Sequence, residues 1–142
     1  MDKKIAKQIL KWFTLVYFAY AVYVLIVSLL VMGTLIPALA LPASFGVSSS
    51  LMTIASLILG LILEISLVVL LWKLIKGKTS VFKYIAGIEV VIFAIPLLNM
   101  LSLPVPAQTM YRVLLATSIK HLVPVLILYV LLRSTGQLAK NK

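Results

Sequence analysis

Residues 12–36 read WFTLVYFAYAVYVLIVSLLVMGTLI, 25 consecutive positions without a charged side chain. Coiled as an α-helix at about 1.5 Å per residue, this run exceeds the ~30 Å hydrocarbon core of a bilayer. It does not alternate polar with apolar residues, as a barrel strand would. A helix, which satisfies its own backbone N–H and C=O groups, is the state that lipid permits. Three further runs follow. Leu51 to Trp72 carries one charge, Glu64; Val81 to about Leu101 carries Glu89 and Pro96; about Tyr111 to Leu132 carries Lys120, His121 and Pro124. The expected fold is all-α: a polytopic integral membrane protein with one domain over residues 1–142. Its four transmembrane helices, at about 12–36, 51–72, 81–101 and 111–132, would form a bundle of two hairpins.

Composition supports that reading. Of 142 residues, 63% are hydrophobic and 11% charged, with a mean hydropathy of +1.21. A soluble domain has roughly 45–50% apolar and about 25% charged residues, so that class is excluded. Cysteine is absent, His121 is the one histidine and Asp2 the one aspartate. Disulfides, thiolate centres, a multi-histidine zinc site and a Ser-His-Asp triad are thereby removed. No phosphate-binding loop, nucleophile elbow or dinucleotide fingerprint occurs. Neither a metal nor a cofactor is expected.

Thirteen Lys and Arg stand against three acidic residues, a net charge of +10. In a soluble chain this would suggest nucleic acid. Here the basic residues flank the apolar runs, which is a topology signal, and no nucleic-acid partner is expected. Lys3, Lys4, Lys7 and Lys11 precede the first run. Lys73, Lys76, Lys78 and Lys83 separate the second from the third. Arg133, Lys140 and Lys142 follow the fourth. Arg112 falls on the opposite side. The positive-inside rule then puts both termini and the middle connection in the cytoplasm of a cell-membrane protein. Trp12, Trp72 and Tyr84 fall where a cytoplasmic aromatic belt belongs. Pro37, Pro42, Pro104 and Pro106 mark the outer connections; Gly77 marks a helix stop, with Thr79 or Ser80 as the next N-cap.

Glu64 and Glu89 lie inside predicted spans, where a charge costs about 2.5–3.5 kcal/mol on insertion scales. Measured from the span midpoints, both fall within about one helical turn of the depth of Lys120 and His121. At about 100° per residue, Thr117, Lys120, His121 and Pro124 share one arc of the fourth span. Tyr17, Tyr20 and Tyr23 cover an arc of the first, with hydroxyls placed to reach a carboxylate. Pro124 has no N–H and leaves the Lys120 carbonyl unpaired. These positions predict one intramembrane network, Glu64 and Glu89 against Lys120, with His121 as a titratable member and Tyr17, Tyr20, Tyr23, Thr117 and Pro124 in support. Ser56 and Gly60 form a small-x-x-x-small pair suited to close helix packing. Lys3, Lys4, Lys7 and Lys11 can meet anionic lipid headgroups, although topology alone accounts for them.

With no catalytic set, the first functional expectation is a small non-catalytic multi-pass membrane protein. It would be an accessory or interaction subunit whose partners are the bilayer and another membrane protein or a second copy. The alternative is an oligomeric transporter or channel coupled to protons or cations through Glu64, Glu89 and His121. A cavity beside those groups would favour the alternative. An intramembrane acid–base enzyme ranks third, because nothing positions a substrate.

Overall fold

The computed structural model describes residues 2–39, 47–101 and 106–137, and the side chains of 2–34, 54–95, 97–98 and 106–137. Four α-helices account for nearly all of them: α1 Lys3–Leu39, α2 Val47–Ile75, α3 Phe82–Leu101 and α4 Ala107–Ser134. There is no strand among the described residues. Each of α1, α2 and α4 outruns the apolar stretch that announced it. For α1 the reason is local: residues 3–11, KKIAKQILK, are rich in Lys, Gln, Leu and Ala, good helix formers whether or not lipid surrounds them. Asp2 caps α1, its Oδ1 accepting the Lys4 N–H at 3.0 Å and its carbonyl accepting the Ala6 N–H at 2.9 Å.

Three helices are long and apolar enough to cross a bilayer, over Lys3–Thr34, Ile54–Ile75 and Ala107–Ser134. The third expected span coincides with α3, 20 residues that include Lys83 and Glu89. The outer connections around Pro42 and Pro104 lie outside the described residues.

The middle connection is built by glycine. Gly77 adopts φ +86°, its N–H bonds the Leu74 carbonyl at 2.9 Å, and the Lys78 N–H reaches back to the Lys73 carbonyl at 3.0 Å. This is a Schellman cap, and it ends α2 where the sequence suggested. A 3-10 turn, Thr79–Val81, occupies the place proposed for an N-cap and leads directly into α3. The same cap recurs after α4. Gly136 has φ +72°, its N–H bonds the Arg133 carbonyl at 3.0 Å, and the Gln137 N–H bonds the Leu132 carbonyl at 3.1 Å.

The helices form a closed ring, each packed on its two neighbours in chain order and α4 returning to α1. α1 and α3 therefore face each other across the diagonal. The core collects Leu10, Tyr17 and Ala21 of α1, Leu67, Leu71 and Leu74 of α2, Ile85 of α3, and Leu128, Leu131 and Leu132 of α4. All belong to the half of the bundle that carries the two termini and the Gly77 turn. Ring contacts tie the same half together: Phe18 meets Trp72 at 5.7 Å and Phe82 meets Tyr129 at 6.3 Å between centroids. Elsewhere large apolar side chains such as Leu30, Ile62, Val90, Ile119 and Leu126 stand exposed. Water would penalise that surface, and a lipid environment does not.

Candidate functional site: a polar cluster across the bundle

The site begins with a stripe on α1. Leu10, Thr14, Tyr17, Ala21 and Ser28 fall within an arc of about 60° at 100° per residue, and this is the inward face. Tyr17 points across the ring. Its hydroxyl donates to Oε1 of Glu89 on α3, and Nδ1 of His121 on α4 lies 2.7 Å from the other oxygen, Oε2. Three helices thus meet on one carboxylate, and Glu89 is 1% exposed. Glu89 reaches this position because Ile85 and Glu89 follow one another at i+4 along the buried face of α3, continuing from Val81 at the end of the 3-10 turn. His121 does so because it stands two turns before Leu128 on the buried face of α4. With the His121 hydrogen on Nδ1, both oxygens of Glu89 accept; with Nδ1 bare, a protonated Glu89 donates to it.

Glu64 is held differently. Ser28 of α1 donates to Oε1 at 3.0 Å. The second oxygen, Oε2, is buried and has no hydrogen-bond partner. Both carboxylates line a cavity of about 50 Å³, whose wall also takes Tyr17, Tyr20, Lys120 and His121. A single water needs about 10–15 Å³ on this measure, so the space suits a few waters or a small cation.

The sequence placed four charged or titratable groups together, and all four border this cavity. The pairing differs from the expected one. Lys120 makes no ion pair with either carboxylate; among the described residues the acid–base contact is that of Glu89 with His121. Geometry explains the exchange. His121 lies on the buried stripe of α4, whereas Lys120, about 100° away, is exposed at its edge. The α1 partners of the two carboxylates, Tyr17 and Ser28, stand eleven residues apart, about 16 Å of helix rise.

The supporting residues divide. Tyr17 joins the cluster, Tyr20 borders the cavity at 42% exposure, and Tyr23 is 63% exposed outside it. Thr117 bonds its own helix, donating to the Val113 carbonyl at 2.7 Å, and so does not serve the carboxylates. Pro124 sits within α4 one turn beyond Lys120. Gly60 is not a point of close helix approach, since a Cβ there would meet nothing within 4 Å. Ser56, its partner in the small-residue pair, is half-buried. Lys3, Lys4, Lys7 and Lys11 are all exposed on the first turns of α1. Ser28 was missed by sequence reasoning. Its signal was the stripe of Thr14, Tyr17, Ala21 and Ser28, spaced as one helix face.

Among the described residues no group of three or more His, Asp or Glu is arranged to hold a metal ion. No family model, curated protein or solved structure matches the chain.

Proposed function

We propose that this chain is a four-span protein of the cell membrane, with both termini cytoplasmic, that moves protons or small cations. Glu64 is the exchanging carboxylate, and Tyr17, Glu89 and His121 form the frame that holds the helices around it. The observation that carries this reading is the cavity of about 50 Å³ bordered by a buried carboxylate oxygen without a partner. An ionisable group within a membrane is by default a candidate for an ion pathway or proton relay. Glu89 has both oxygens engaged, so loading it with an ion breaks existing bonds. Oε2 of Glu64 can take a proton or a cation and leave the Ser28 bond intact. Lys120 and His121 border the same space, and their charge or hydrogen-bonding capacity supports release by competing for the carboxylate. Four helices leave little room for a path inside one bundle, so the working unit is an oligomer with Glu64 opening toward a neighbouring copy.

A second reading, an accessory subunit, draws support from the enclosed Tyr17–Glu89–His121 contact. A polar contact of this kind specifies which helices pack together where apolar faces do not discriminate. That reading predicts co-purification with another membrane protein from the native source.

The test is reconstitution in liposomes loaded with a pH-sensitive dye, under an imposed potential. The parent protein conducts, and Glu64→Gln reduces the flux to the level of empty vesicles. Flux unchanged by Glu64→Gln removes the transport reading.

A further inference from the structure

A second built feature lies at the end of the bundle that carries the termini. The first turns of α1, the end of α2 and the segment after α4 enclose a groove of about 260 Å³. Lys7 and Lys11 stand at its rim, Leu10, Leu74 and Ile75 form apolar wall, and Gln137 closes the far side. We propose that this groove binds an anionic phospholipid, the phosphodiester against Lys7 and Lys11 and the start of an acyl chain against Leu10, Leu74 and Ile75. The inference rests on the helices crossing a bilayer and is independent of any ion exchange at Glu64.

Charge complementarity is the first support. Lys7 and Lys11 are one turn apart on the same face, so two like charges sit side by side. Neither is paired with a carboxylate among the described residues. The acidic residue of that end, Asp2, is engaged at the Lys4 N–H as the cap of α1. Nine described lysines and arginines share the end with it: four within 3–11, four within 73–83, and Arg133. The groove is thus a concave, uncompensated cationic site.

Shape is the second support, and it selects the occupant. A free phosphate has no use for an apolar wall, whereas a phospholipid presents a charged group joined to hydrocarbon. The groove offers both elements in that order. Lys7 and Lys11 are exposed while Leu10 and Leu74 beside them are core residues, so the groove sets two cationic side chains of headgroup level against an apolar wall. Thr14 contributes no free donor, because its hydroxyl is bonded to the Leu10 carbonyl at 2.7 Å. The structure also divides the N-terminal lysines that the sequence grouped together: Lys7 and Lys11 line the groove, and Lys3 and Lys4 do not.

The test uses the full chain in a mild detergent. Phosphatidylglycerol, phosphatidylcholine or inorganic phosphate is added at equal concentration. Bound lipid is counted by native mass spectrometry, and thermal unfolding is followed in parallel. Lys7→Gln with Lys11→Gln is compared with Lys3→Gln with Lys4→Gln, which removes the same charge from the same helix. The expected result is retention of phosphatidylglycerol that falls about tenfold or more in the first pair and stays within about twofold in the second. Ile75→Trp, which fills the groove and keeps every lysine, also releases the lipid. Equal loss in both lysine pairs overturns the proposal in favour of diffuse charge. Equal retention of phosphatidylcholine, or stabilisation by inorganic phosphate alone, overturns the assignment of the ligand. Full retention in the first lysine pair and in Ile75→Trp overturns the site itself.

Discussion

Both oxygens of the Glu89 carboxylate are engaged, by the Tyr17 hydroxyl and the His121 imidazole, whereas Glu64 engages one oxygen and leaves the other bare. That asymmetry has consequences for stability. With the His121 hydrogen on Nδ1, a glutamine at 89 offers one acceptor and one donor where two acceptors are used, so either Tyr17 or His121 loses its partner. Glu89→Gln is expected to cost about 1–3 kcal/mol in equilibrium unfolding from mixed micelles. Glu64→Gln keeps an acceptor for Ser28 and exchanges a bare buried oxygen for an equally bare amide NH2, so it breaks no existing bond and its change stays at about 1 kcal/mol or less. Lys120→Met, which breaks no ion pair, falls in the same small range. Equal losses at 89 and 64 would contradict the division of roles. Glu64, Glu89, Lys120 and His121 were visible in the sequence because a charge inside an apolar run stands out. Their pairing was not. An angular spacing says which residues of one helix share a face, but not how that face is turned toward its neighbours. Thus Tyr17 and His121 won the contact over Tyr23 and Lys120.

The helices themselves were readable, since apolar runs of this length have one stable form in lipid. Their ends were less so. The helix signal of 3–11 comes from propensity and from the Asp2 cap, and hydropathy is blind to both. Gly77 and Gly136 show how two of these helices stop. Both lie at positive φ with open space around a notional Cβ, so an alanine there is opposed by the backbone and not by crowding. Gly77→Ala and Gly136→Ala should each lower stability by about 1 kcal/mol in thermal or denaturant unfolding. Gly60 gives the opposite expectation. It is helical, with nothing within 4 Å of an added Cβ, so Gly60→Ala should hold or raise stability by up to about 1 kcal/mol. A loss there would restore the close helix packing that the Ser56–Gly60 spacing suggested.

Taken as one body, the described chain is a ring of four helices, apolar on the outside, tightly packed at the end with the termini and holding a small cavity lined by its carboxylates. Orientation is testable without a background signal, because the native sequence has no cysteine. Lys78→Cys should react with a membrane-impermeant maleimide only after cells are opened, and Gln108→Cys should react in intact cells. Labelling of residue 78 from outside would reverse the topology. The claim on which the transport reading turns is that Glu64, and not Glu89, is the open carboxylate. Dicyclohexylcarbodiimide enters membranes and modifies protonated carboxyl groups that are free to react, so intact-mass and peptide mass spectrometry of the treated protein measure this directly. The account predicts a single adduct on Glu64, lost in Glu64→Gln and kept in Glu89→Gln. An adduct on Glu89, or none at either position, would contradict it.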